Sequence, residues 1–526
     1  MKLQPALIFG ENMVLQRQKP IPVWGRSVRG DLITVSLGEH TVTVKAGDHM
    51  QDEREVSGVW EAILPPMEAC SEVSLTISSD KTGEKVSFEH VAIGEVWLAG
   101  GQSNMEFWLE YDGQFEETAA LPEDPDFRFF RYPQVNFAGC LEKDPYPDDG
   151  FWRSWGSRED RGFFSGPAAY MGLQLRKKLG VPVGIVGCNW GGSSAAGWCE
   201  LGAIKENPAL QSILTWQKEQ EEKLDYRTYI EASEQPAPDP TAEIQTGLDK
   251  FMMGEGLLEF FQNMPEEMPP VIYSAYMYGP RSINAPGQLY THMLTKVAPF
   301  ALRGFIWYQG EEDDTCGRQA IYGELMKTMI LSWRKLWKEE LPFLQVELAP
   351  YGGPAPRVAA KDWPKMRQQQ RSVTRQLKDV YDICIMDSGH PYNIHVRKKK
   401  PVGDRLALLA LKHVYKDTKL LADSPSVLSC GRKEDQVWIS FADTGEGLVL
   451  REVPDEKGTL REVLEVFCDG KSVEARCEIS EDTLRIYADE IKDADEITVC
   501  FCEMNYCTDP LFGSTGLPVF PFTVKL

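Results

Sequence analysis

No apolar run in this chain approaches the roughly 18 residues that a membrane-spanning helix needs. Basic residues are outnumbered: 56 Lys and Arg face 79 Asp and Glu, for a net charge of −23. That balance argues against nucleic acid and against an anionic membrane as partners. The one basic run, VRKKKP at 396–401, is short and reads as a solvated helix start. The twelve cysteines form no CxxC pair, and no His/Cys set has zinc spacing, although Cys500, Cys502 and Cys507 cluster. Most lie within apolar runs, as Cys188, Cys384 and Cys500 do, which reads as buried free thiols in a reducing compartment. The start, MKLQPALIFGENMVLQ, has one lysine and no long apolar stretch, so a secretory signal is not expected and a cytoplasmic location is. Histidine is scarce, with seven in 526 residues.

What is present is organised in blocks. The length predicts two to four domains. Residues 1–90 carry short alternating runs (LITVSL, HTVTVKA, VWEAIL, VSLTI) between Gly, Asp, Pro and Ser, the pattern of a small β-sandwich. From 91 to about 416 the rhythm changes to five short apolar runs: VAIGEVWLAG, VPVGIVGC, RGFIWYQG, PFLQVELA and VYDICIMDSG. Helical patterns lie between several of them. GPAAYMGLQLRKKLG follows Ser165, and IYGELMKTMILSWRKLWK places Ile321, Leu325, Met329 and Leu336 on one stripe. Repeated strand and helix predict an α/β fold, a doubly wound parallel sheet with helices on both faces. Residues 200–285 break the rhythm and read as an insertion, helical at first and then rich in Pro and Met. From 417 to 526 β patterns return as a second β region.

Ligands of an open parallel sheet bind beyond the carboxyl ends of its strands. Past the first run lies GGQSNMEFW, where Ser103 opens a helix, as a simple N-cap or as a nucleophile near unpaired N–H groups. Past the second lies CNWGGSSAAGW, whose Gly191 or Gly192 can bring an N–H close to an oxyanion. Past the third lies YQGEEDD. Gln309 can donate from its amide and Glu311 is an acid near the strand end. Glu312, Asp313 and Asp314 read as a solvated acidic loop, a divalent-metal site there being the lesser alternative. Past the fifth run, MDSGHPYNIHVRKKK holds two of the seven histidines. His395 is placed to serve as base for a hydroxyl nucleophile, with His390 as its competitor. A nucleophile, oxyanion donors, a base and an acid at successive strand ends describe acyl transfer.

The blocks GEVWLAGGQSNME, NWGGSSAAGW, RGFIWYQGEED and IHVRKKKPVGDRLAL resemble those of the SGNH/GDSL hydrolases, and more narrowly the sialate O-acetylesterase family of carbohydrate acetylesterases. ENMVLQRQKPIPVWG and GLPVFPFTV extend the resemblance to both ends. It implies a flavodoxin-like core flanked by N- and C-terminal β-sandwich-like regions, with no metal or organic cofactor. It implies Ser103 as nucleophile and His395 as general base. The oxyanion hole would comprise the Ser103 N–H, a glycine of the Gly191–Gly192 pair and Gln309. Trp190, Asn104 and Arg281 are the candidates for substrate binding, and the substrate would be an O-acetylated carbohydrate. The oligomeric state is left open, a homodimer being one candidate.

The chain departs from the family where it reads Asn393-Ile394-His395-Val396 in place of Asp-Ile-His-Pro, and Tyr392 stands where the superfamily often has the acid. Glu311 resembles in position a glutamate that related acetylesterases use as the third member, which makes it the preferred acid, with Asp387 at the end of the fifth run as the reserve. QGEED replaces QGESN, and LYTHML stands where LYNGM is usual. Sialate as substrate calls for an arginine to pair with its carboxylate, Arg281 or Arg161. Acetylated xylan or mannan is the competing substrate. An acyltransferase and a carbohydrate-binding protein without activity are the rivals from other classes.

Overall fold

The computed structural model describes residues 2–47, 57–138, 149–234, 252, 254, 279–352, 360–453 and 457–526. The fold is mixed α/β with large sheets. The chain divides into two compact units, one of Met1–Asp249, Pro265–Gln309 and Glu324–Phe343, the other of Lys250–Met264, Gly310–Gly323 and Leu344–Leu526.

The first unit is built on one 17-residue strand, Lys85–Gly101. Its first half alternates between partly buried and exposed residues, while Val91 to Gly101 is buried throughout. The change follows the partners. Cys70–Ser79 pairs antiparallel with the first half, and Val14–Gln16 pairs parallel with Ala92–Gly94. The second half lies between two parallel strands, Val183–Asn189 and Gly304–Tyr308. A central parallel strand is covered on both faces, so its sequence reads as a continuous apolar run. Asp124–Arg131 adds in parallel beyond Val183–Asn189, and Trp152–Trp155 caps that edge antiparallel.

Asp124–Arg131 was not among the five apolar runs, because Arg128 interrupts its hydrophobic stretch. Arg128 is nevertheless buried, its Nε donating to the Pro125 carbonyl and its Nη1 to those of Met13 and His90. A second buried charge sits on the long strand itself. Glu95 is fully buried and accepts from Arg17 Nε at 2.5 Å, Arg303 Nε at 2.6 Å and Gln16 Nε2 at 3.3 Å. Removing the carboxylate leaves two guanidinium groups without their shared counter-charge. Glu95→Ala is expected to lose about 3 kcal/mol of stability, read as a lower urea midpoint with unchanged slope.

Two predicted helices take the expected form. Gly166–Leu179 starts at Ser165, whose Oγ accepts from the Ala168 N–H, and stops at the left-handed Gly180. Along Tyr322–Trp337 the buried stripe runs through Leu325, Met326, Met329, Ile330 and Trp333, with Ile321 and Leu336 only half-buried at its edges. The insertion is helical over Leu201–Glu206, Gln211–Glu221 and Tyr226–Glu234. Its Pro- and Met-rich remainder, apart from residues 252, 254 and 279–285, lies outside the described residues.

The strands Phe343–Val346, all but its first residue in the second unit, and Val380–Ile383 are neighbours, followed by the helices Trp363–Thr374 and Lys400–Leu409. C-terminal to them are two four-stranded antiparallel sheets. Gln436–Ala442 alternates strictly, its buried Val437, Ile439 and Phe441 meeting Val466, Val499 and Phe501 in one apolar core.

Two local expectations fail here for one reason, burial by tertiary partners. Asp313 and Asp314 do not lie in a solvated loop. They are buried in the short helix Glu311–Thr315. Asp313 pairs with Arg318 at 3.0 Å, and Asp314 accepts from the backbone N–H groups of Lys361 and Asp362. The basic run is likewise not solvated throughout, for Lys399 is 1% exposed beside exposed Arg397 and Lys398. None of the described cysteines forms a disulfide, and burial raises the thiol pKa of Cys188 and Cys384. Cys500 is only partly buried.

Candidate active site

In the first unit the strand ends set the geometry. Gly101 pairs with Asn189 on one side and with Tyr308 on the other, so three strands end in one row. Ser103, Gly191 and Gln309 follow directly. A side chain at Gly101 would drive its Cβ to 2.2 Å from the Tyr308 carbonyl, and its φ of +133° is foreign to other residues. The chain then turns into the helix Ser103–Glu106, fixed by Gln102 N–H to the Tyr308 carbonyl at 3.1 Å. Ser103 is half-buried and Asn104 is buried.

The neighbouring turn is tied to the same row. The Trp190 N–H donates to the Gly101 carbonyl at 3.1 Å, and Asn189 Nδ2 to that of Ala99 at 3.0 Å. A Cβ built on Gly191 would sit 3.4 Å from the Ser103 Cβ, which places this turn against the serine. Gly192 adopts the left-handed φ of +70°. The Gly191 N–H, however, donates to Glu106 Oε2 at 2.6 Å. Of the predicted pair, Gly191 is therefore committed to a carboxylate. Gln309 is fully buried, and its Nε2 donates to the Ser193 carbonyl at 3.1 Å, which holds the amide against the glycine turn. Ser194 N–H is held in turn by Asn284 Oδ1 at 2.6 Å.

The two candidate arginines differ. Arg161 is buried, with Nη1 on the carbonyls of Ala119 and Leu121, where it closes a helix end. Arg161 is therefore the less accessible of the two. Arg281 is partly buried and lies over the Phe137 ring at 4.6 Å.

In the second unit His395 and Glu311 are both buried. Glu311 is the first residue of its helix, after Gly310 at φ +155°. The His395 N–H donates to Asn393 Oδ1 at 2.9 Å, so Asn393 shapes the backbone that carries the histidine. Burial first, and the Lys399 charge second, push the His395 pKa down to about 3. The competitor His390 is exposed, and its Nδ1 accepts from the N–H groups of Tyr392 and Asn393. It is a turn anchor. The reserve acid Asp387 is gripped by Arg405 through two bonds of 2.7 Å. Burial raises the Asp387 pKa, but Arg405 outweighs it and the net direction is down. Among the described residues there is no group of three or more His, Cys, Asp or Glu side chains placed to hold a metal ion.

Sequence reasoning missed Glu106, Arg405 and Lys399. Glu106 was visible within the GQSNME block as an acid one helical turn past the serine, but nothing local ties it to position 191.

The sequence resembles one class of protein, the carbohydrate esterases: residues 275–411 match the family model described as carbohydrate esterase, sialic acid-specific acetylesterase. Within that class the chain is similar to sialate O-acetylesterases. It is 25% identical to the one from Rattus norvegicus over 452 residues, covering 78% of this chain and 74% of that protein. Against the Homo sapiens protein it is 25% identical over 453 residues, covering 80% and 72%. The crystal structure of a carbohydrate acetylesterase from Xanthomonas citri shares the fold, with a TM-score of 0.72, 24% identity and 99% of each chain covered.

Proposed function

We propose that this chain is a carboxylic ester hydrolase that removes O-acetyl groups from carbohydrates, with O-acetylated sialate as its first substrate. The observation that carries the reading is the row formed by Gly101, Asn189 and Tyr308, which puts Ser103, the glycine turn and Gln309 at one edge of one sheet. The similarity to sialate O-acetylesterases supports the choice of substrate class. In this reading residues 91–416 form a flavodoxin-like core, with β-sandwich-like regions at 1–90 and 417–526.

The chemistry follows from the groups. Neutral His395 takes the Ser103 proton, and Oγ attacks the acetyl carbonyl. The N–H of Ser103, the Gln309 amide and the N–H of Gly192 hold the oxyanion. Gly192 is preferred over Gly191 because Glu106 already accepts from the latter. The sugar alcohol leaves with the proton from His395, and water then releases acetate by the same path. Glu311 supports the imidazolium. Asp387 is the weaker choice because Arg405 engages both its oxygens.

Acetate release from O-acetylated sialic acid, acetylated xylan and acetylated mannan, measured side by side, tests the assignment. The fastest turnover is expected on sialic acid, and release from none of the three overturns the proposal. Loss of a placed oxyanion donor lowers the rate by roughly a hundred- to thousandfold. Gln309→Ala is therefore expected to fall that far, and Glu312→Ala to stay within about twofold because Glu312 takes no part in the proposed mechanism. Equal losses would remove Gln309 from the oxyanion hole.

A further inference from the structure

Glu106 ends the short helix that Ser103 begins. Its carboxylate accepts from three directions. Oε2 takes the Gly191 N–H at 2.6 Å, and Oε1 takes Arg131 Nη2 at 2.8 Å and Gln134 Nε2 at 2.9 Å. These partners come from separate parts of the first unit. Arg131 ends the strand Asp124–Arg131, Gln134 follows it, and Gly191 follows the strand Val183–Asn189. The cluster is braced further. Gln134 Nε2 reaches the Asn189 carbonyl at 3.4 Å, Arg131 Nε lies 3.5 Å from Asp149, and the Arg131 guanidinium sits over the Trp108 ring at 5.2 Å. An ionised carboxylate suits this place because it accepts at both oxygens and donates nothing.

From this geometry we propose that Glu106 is a positioning residue, which clamps the Gly191–Gly192 turn against Ser103 and so fixes the oxyanion donors. The proposal rests on the reading of Ser103 as nucleophile. Glu106 touches neither substrate nor a transferring proton in this role. It acts through the turn, and a misplaced donor is felt only where negative charge develops, in the transition state.

The test measures kcat, KM and the pH profile of Glu106→Ala and Glu106→Gln on p-nitrophenyl acetate, with Ser103→Ala and fluorophosphonate labelling alongside. Glu106→Ala is expected to lose about a hundredfold in kcat with KM within about twofold. Glu106→Gln keeps one acceptor oxygen and the same volume, so it is expected to lose only about tenfold. The acidic limb of kcat/KM is expected to stay where the parent protein has it. Wild-type kcat in either variant, provided Ser103 still labels, overturns the clamp alone. A shifted acidic limb also overturns it, since Glu106 would then act on the base through its charge and not on the turn. Turnover by Ser103→Ala, or a label that lands elsewhere, instead removes the nucleophile assignment. Should Glu106→Ala fail to fold, Glu106→Gln decides the matter.

Discussion

Ser103→Ala is expected to lower acetate release by at least about four orders of magnitude while the chain stays folded. The size follows from the covalent step of the proposed mechanism. Without Oγ no acyl-enzyme forms, and only the residual stabilisation by the oxyanion donors is left. Folding is expected to survive because Ser103 is only half-buried and alanine keeps the Cβ against Gly191. The Gln102 and Trp190 backbone bonds that hold the turn do not involve the hydroxyl. Two measurements check the result: turnover of p-nitrophenyl acetate, and intact mass after exposure to a fluorophosphonate. A variant that hydrolyses at the parent rate would eliminate the acyl-enzyme.

The second large effect belongs to His395. His395→Ala is expected to lose about three to four orders of magnitude in kcat/KM, since in the proposed mechanism the serine hydroxyl then lacks its base. The pH profile gives a sharper test. The base works only when unprotonated, and burial with Lys399 lowers the His395 pKa to about 3. The acidic limb of kcat/KM should accordingly fall well below 6.5, with little loss between pH 7 and pH 5. A limb at or above 6.5 would show that the imidazole is more solvated, or better supported by a carboxylate, than its burial implies. Stability follows the same shift. The unfolded chain takes up a proton at His395 near the ordinary value while the folded chain does not. His395 thus contributes stability above that value, and the contribution is lost as pH falls from about 6.5 toward 3. Lys399→Met removes one of the two causes and is expected to move the limb upward.

Much of the site is legible because strand ends are local features. Each of the five apolar runs contains a strand, and the residues after them could be read for chemistry without knowing the pairing. Helix caps such as Ser165 and Gly180 are equally local. What escaped the sequence depends on burial and on pairings that spacing alone does not announce, some near in the chain and some far. Asp313 and Asp314 look like a solvated run until Arg318 and the backbone at 361–362 neutralise them. Arg128 hides a strand because its guanidinium finds carbonyls at residues 13, 90 and 125. Lys399 reads as one more surface charge, yet it is buried and bears on His395. Asp387 has the composition of a triad acid, and only Arg405, 18 residues on, shows that it is engaged. In each case the tertiary environment of a charge, and not the charge itself, decides its role.

The row of strand ends also has a bearing on time. Backbone amides in the middle of a fully buried parallel ladder exchange with solvent only when the whole cooperative unit opens. The turn at 190–192 and the start of the serine helix hang from the last rungs of such a ladder, through carbonyls at Gly101 and Tyr308. Amide exchange at Gln102 and Trp190, whose N–H groups make these bonds, is therefore expected to be slower than in the rest of the turn. For the proposed reaction this means that the ordering entropy of that edge is settled when the first unit folds and does not recur at each turnover.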